Sequence, residues 1–127
     1  MSSVEHIETS KAPSAIGPYS QAVVSGNLLF VSGQLPLDPS TNEFVQGDIA
    51  EHTRQCLKNV DAIANSAGTD LSKSVKVNIY LADIRNFQVV NEAYAEFFTE
   101  KPPARLALEV SKLPKNADIE IEAVISI

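Results

Sequence analysis

Two runs near the C-terminal end of the sequence carry most of its chemically usable side chains. Arg105 and Glu109 are interleaved with Leu106 and Leu108, and Glu120 and Glu122 with Ile119 and Ile121. A period of two marks β-strands, so each run sends its polar residues to one face. Paired as a hairpin, the strands would put Arg105, Glu109, Glu120 and Glu122 on one sheet face. That grouping suits work on a small carboxylic acid. The planar guanidinium holds a carboxylate through two parallel hydrogen bonds, a match that lysine lacks, while a neighbouring glutamate positions water or handles a proton. A solvated face with ion pairs worth about 0 to 1 kcal/mol fits the same pattern.

Other reactive side chains point to no familiar chemistry on their own. Cys56 falls on an apolar helical stripe and reads as a core residue, with no activating group near it in sequence. His52 reads as a solvated helix residue, because His52-Thr53-Arg54-Gln55-Cys56 lacks the Glu and second His of a zinc-protease helix. One cysteine excludes an internal disulfide, and two histidines, His6 and His52, cannot alone build a His-rich metal site. Gly26, Gly33 and Gly47 form no phosphate-binding glycine motif, and Ser32-Gly33-Gln34 is no nucleophile elbow.

The elements that must hold these residues follow from periodicity. Residues 21–24 and 28–32 are β-prone runs separated by Ser25-Gly26-Asn27, a hairpin signal. The second run is apolar on both faces, Leu29 and Val31 against Leu28 and Phe30, so each face needs a cover, one of them supplied by another subunit. Helical spacing from Asp48 to Ala67, stopped by Gly68, predicts an amphipathic helix. A strand follows over 75–81, then a second helix from Ile84 to Glu100, with Phe87, Val90, Tyr94, Phe97 and Phe98 toward the core and Pro102-Pro103 ending it. The two closing strands, 104–111 and 118–127, would turn at Leu113-Pro114-Lys115-Asn116. With no repeat or linker, residues 1–127 read as one α+β domain, a mixed sheet with two helices on one face.

Composition narrows the function. The 127 residues are 44% hydrophobic, enough for one domain to bury about two-thirds of its unfolded surface. Ten basic against sixteen acidic residues give a formal charge of −6, the wrong sign for binding a phosphate backbone. No apolar run approaches the roughly 18 to 20 residues of a membrane span, and the first eleven residues look like neither a secretory signal nor a transit peptide. The expectation is a cytoplasmic protein that binds neither nucleic acid nor membrane, or a mitochondrial one if a presequence has been removed.

Four segments in order, Ile16-Gly17-Pro18-Tyr19-Ser20-Gln21-Ala22, Phe30-Val31-Ser32-Gly33-Gln34-Leu35-Pro36, Pro103-Ala104-Arg105 and Ile119-Glu120-Ile121-Glu122-Ala123, resemble the signature of the Rid family. These are the reactive intermediate deaminases, also called the YjgF family. The resemblance spans essentially the whole chain and is closest to the deaminase-active subgroup. It implies a chorismate-mutase-like fold assembled as a homotrimer, with active sites between subunits. The implied reaction is hydrolysis of 2-imino acids such as 2-iminobutanoate and 2-iminopropanoate to 2-oxo acids and ammonia, without metal or organic cofactor. On this resemblance Arg105 matches the residue that clamps the substrate carboxylate, and Glu120 the residue that orients the attacking water. Tyr19, Ser32, Gly33 and Asn91 match pocket positions. Ala107 stands where many members carry cysteine, in a position that contacts substrate through its backbone. The link between the second helix and Pro103 is shorter than in many bacterial members. A non-enzymatic ligand-binding or chaperone-like protein is the alternative, with ribonuclease or translation inhibition behind it.

Overall fold

The computed structural model describes residues 3–127, and its elements run β1 (Glu5–Ile7), β2 (Ala22–Ser25), β3 (Leu28–Gln34), α1 (Ile49–Ser66), β4 (Ser74–Leu81), α2 (Phe87–Ala95), β5 (Ala104–Glu109) and β6 (Ile119–Ser126). The strands form one mixed sheet in the order β1-β2-β3-β6-β4-β5. Both helices cover the same face, as expected.

Local chemistry sets most of these elements. Gly26, at a φ of 63°, makes the tight turn that pairs Ser25 with Leu28 in the predicted hairpin. Asp48 caps α1 by accepting from the Glu51 N–H at 3.1 Å. The chain leaves that helix through Gly68 at a φ of 86°. The inward stripe Cys56, Leu57, Val60, Ile63 and Ala64 is fully buried. It packs on Leu29 and Val31 of β3, Val77, Ile79 and Leu81 of β4, and Ile119, Ile121 and Ile125 of β6. Cys56 is the small core residue its spacing predicts, and burial pushes its thiol pKa well up.

Several expectations are corrected. β5 and β6 do not form a hairpin: β4 lies between them, antiparallel to β6 and parallel to β5. The joining segment is long enough to step over β4, and Lys115 and Asn116 bend it at φ values of 58° and 57°. Leu106 and Leu108 therefore face away from the helices, with Leu106 42% exposed. The second helix is shorter than Ile84 to Glu100, because a 3-10 turn over Ile84–Asn86 precedes it and it ends at Ala95. Asp83 caps that turn through the Arg85 N–H at 2.9 Å. Phe97 and Phe98 pack on the core from beyond the helix. β1, which has no clear period in sequence, adds an edge strand beside β2.

His52 is a third-element tie and not a solvated residue. Its Nδ1 lies 2.8 Å from the Asp118 carboxylate and its Nε2 3.1 Å from the Val45 carbonyl. It thus joins α1 to the segment leading into β6 and to the loop after β3.

The same loop is anchored by Asn59, buried on α1, which donates to the carbonyls of Leu35 at 3.2 Å and Leu37 at 3.0 Å. Asn59 is itself buried and the Leu37 bond with it, so Asn59→Ala, which strips both carbonyls of their donor, should cost about 2 to 3 kcal/mol. Urea unfolding checks this as a lower midpoint at unchanged slope.

Candidate active site

Alternation along β4 and β6 divides the sheet into two chemically different faces. Val77, Ile79 and Leu81 look toward the helices, so Asn78 and Tyr80 look away, and register carries Glu122 and Glu120 with them. Asn78 Nδ2 and the Tyr80 hydroxyl both donate to Glu122 Oε1, at 3.0 and 2.6 Å. The phenol that gives this bond has its pKa pushed up to about 12, since losing its proton would set two negative oxygens together.

Glu120 sits beside this satisfied carboxylate with no hydrogen-bond donor among the described residues. Burial, and then the charge of Glu122, raise its pKa from the usual carboxylate value. Its carboxylate lies directly on the bare backbone of Gly33, where any Cβ would collide with it and force the glutamate to shift. Glu120, Gly33, Ser32 and Tyr19 line one open cleft of about 650 Å³, walled by Pro13, Ile16, Leu35 and Leu37 among others. Tyr19 is 52% exposed. The Ser32 hydroxyl donates to the Ser20 carbonyl at 2.6 Å, which commits its proton to holding β3 against the preceding loop. Gln21, buried and bonded to the carbonyls of Thr9 and Pro13, fixes the other wall.

Arg105 is elsewhere. Its strand neighbour is Val77, so it emerges on the helix face of the edge strand β5, and the shared face expected for Arg105 and Glu120 does not form within one chain. Its guanidinium donates from Nη1 to Asn91 Oδ1 at 2.6 Å and lies 4.9 Å from the Tyr94 ring centroid and 5.4 Å from that of Phe87. Among the described residues no carboxylate pairs with it, whereas Arg54 and Arg85 both have acidic partners. Arg105, Asn91, Tyr94, Phe98 and Pro103 line a second, smaller cleft of about 440 Å³. Ala107 follows on the same face of β5, beside Ile79. Glu109 takes the Ile84 N–H at 2.9 Å and so anchors the start of the crossover.

The expected site residues therefore fall into two half-sites. One holds Glu120, Gly33, Ser32 and Tyr19; the other holds Arg105 and Asn91, with Ala107 beside them. Phe87 and Tyr94 belong with the second group, although their spacing alone marks them as core. The i, i+4, i+7 spacing of Phe87, Asn91 and Tyr94 is the signal that places all three toward β5. No cluster of His, Cys, Asp and Glu suited to a metal ion occurs among the described residues, and no described helix is long and apolar enough to cross a membrane.

Comparison with known proteins supplies the wider setting. A family model described as Endoribonuclease L-PSP matches residues 9–127. The 2-iminobutanoate/2-iminopropanoate deaminase of Homo sapiens is 49% identical over 118 residues, covering 93% of this chain and 86% of that protein. RutC family protein y4sK of Sinorhizobium fredii is 55% identical over 124 residues, 98% of each chain. In structure, the Rid-family protein YyfA of Yersinia pestis superposes with a TM-score of 0.95 at 47% identity, covering 98% of this chain and 100% of that one. The matched length, the fold and the ordered motifs agree: this chain is a member of the Rid (YjgF, endoribonuclease L-PSP) family.

Proposed function

We propose that the protein is a 2-iminobutanoate/2-iminopropanoate deaminase that works as a homotrimer. The observation that carries this reading is the pair of incomplete half-sites: among the described residues, a guanidinium with no anion and a half-buried carboxylate with no donor. Each lacks what the other has, and a short 2-imino acid between them would satisfy both. The family membership and the deaminase-named relatives support the same substrate class.

The face that carries Glu120 also suits an assembly. Phe30 and Leu106 are 45% and 42% exposed there, and Leu28, Leu108 and Val124 are only partly covered. Apolar strand positions left open in this way are the mark of a contact surface. β5 is the edge of the sheet, so Arg105 of one subunit is free to reach the Glu120 cleft of its neighbour.

In the proposed reaction Arg105 forks the substrate carboxylate and so fixes the adjacent C=N carbon over Glu120. Glu120, as carboxylate, takes a proton from water as the water oxygen bonds to that carbon. The C=N π electrons move to nitrogen. The proton then passes to nitrogen; Glu120 takes the remaining hydroxyl proton as the oxygen electrons form the C=O bond, the C–N pair leaves with ammonia, and Glu120 returns that proton to the ammonia as the 2-oxo acid departs. Protonated imines are strong electrophiles, so positioning supplies most of what is needed. The net charge of −6 weighs against RNA as a substrate.

Release of 2-oxobutanoate by a threonine dehydratase, with semicarbazide trapping the competing imine, tests the reading. The pure protein should speed release, while Arg105→Ala and Glu120→Gln each abolish the effect. Refolded together in equal amounts, the two inactive variants should recover about a quarter of the wild-type rate, since random mixing of subunits rebuilds that share of intact sites. No acceleration by the wild type refutes the deaminase reading, and no recovery on mixing refutes the shared site.

Glu120 also ties activity to pH. Turnover should fall as pH drops through its raised pKa, before ordinary carboxylates protonate. For stability the sign is the reverse of a paired acid. The cost of the ionised group is absent below about pH 4.5, where folded and unfolded chains both hold it protonated, grows as pH rises from there through the folded pKa, and is constant above it. Glu120→Gln should therefore unfold at higher denaturant than the wild type at pH 7, with the gain vanishing below pH 4.5.

A further inference from the structure

We infer that Phe87 and Tyr94 are positioning residues for Arg105, the i and i+7 members of an α2 face whose i+4 member, Asn91, accepts its hydrogen bond. This deepens the proposed role of Arg105 as a carboxylate clamp and rests on that reading for its kinetic readout alone. An arginine on an exposed edge strand has many rotamers, and each ligand that orders it must offset that entropy. Here the side chain is already held at three points. Asn91 fixes Nη1 at 2.6 Å, and the Phe87 and Tyr94 rings lie 5.4 and 4.9 Å from the guanidinium carbon, within cation–π range. Ring contacts use none of the guanidinium N–H groups. They restrain Arg105 without consuming the donors that an anion needs.

The tyrosine makes the case that the ring face is what matters. Tyr94 is buried and its hydroxyl has no hydrogen-bond partner among the described residues, so the oxygen adds nothing that holds Arg105. Burial raises the pKa of this phenol, and its neutral form keeps the stack free of a competing charge. α2 also cannot drift from β5. Its approach is fixed by the Glu109 bond to the Ile84 N–H at 2.9 Å, and the Tyr94 ring is buttressed by Phe98 at 4.6 Å between centroids.

Phe87→Leu keeps apolar volume and removes one ring. It should raise KM for the 2-imino acid about two- to twelve-fold, the cost of ordering one long side chain on binding, and leave kcat within about two-fold. Tyr94→Phe keeps the ring and should keep Arg105 ordered. Phe87→Tyr should restore what leucine loses. Relaxation of the ¹⁵N-labelled Arg105 Nε–H gives a reading free of turnover: ordered in the wild type and in Tyr94→Phe, mobile in Phe87→Leu. An unchanged KM together with an ordered Nε–H in Phe87→Leu would overturn the inference, as would a loss confined to kcat. If the wild type turns over no 2-imino acid, the deaminase reading falls and the Nε–H relaxation alone decides this one.

Discussion

β5 lies parallel to β4, and strands of the same direction cannot be joined by a tight turn. The chain must leave the sheet, cross a face and come back, and α2 is that crossing. Everything about the site depends on this connection. It places β5 at the edge, sets Arg105 opposite Val77 on the helix face, and lowers the Phe87, Asn91 and Tyr94 side of α2 onto it. It also leaves β4 with one free edge, which β6 fills by returning antiparallel from the far side. Arg105 and Glu120 are thereby separated by a strand and by the thickness of the sheet.

On the Glu120 side, two like charges two residues apart are made compatible by unequal surroundings. Glu122 takes both available donors, Asn78 and Tyr80; Glu120 takes none and has its pKa raised by burial and by that neighbour. Environments that differ in this way give adjacent carboxylates different roles. The glycine at position 33 is part of the same arrangement, because any side chain on β3 at that point would occupy the volume of the Glu120 carboxylate. The close approach brings Glu120 to the cleft wall instead of letting it extend into solvent.

Sequence made α1 and the Gly26-Asn27 hairpin legible because their signals are local: a capping Asp48, a 3.6-residue stripe, a turn dipeptide. It also marked Glu120 and Gly33 through the family motif. Pairing across the sheet left no comparable trace. Leu106 and Leu108 alternate as a core strand would, yet they face away from the helices, since an apolar face toward a partner and one toward a core obey the same period. Lys115 and Asn116 look like hairpin residues and bend a longer excursion. His52 gave no hint of Asp118, 66 residues away, because a long-range tie depends on where two elements meet. The spacing of the α2 aromatics marks them as packing, and they do pack on the core; that they also face a guanidinium follows only once β5 is known to lie beneath them.

The separation of Arg105 from Glu120 has a consequence for chemistry. A guanidinium and a carboxylate free to meet in one chain would bind each other, and a substrate carboxylate would then have to displace an intramolecular ion pair before it could bind. The sheet prevents this by geometry: Arg105 is ordered by neutral partners, an amide and two rings, and Glu120 stands on the opposite face of the sheet. Under the proposed assembly the two charges would meet only between subunits, with the substrate between them. The acid then need not release the base before each turnover. That requirement gives a physical reason for a small chain to divide its site between its two faces.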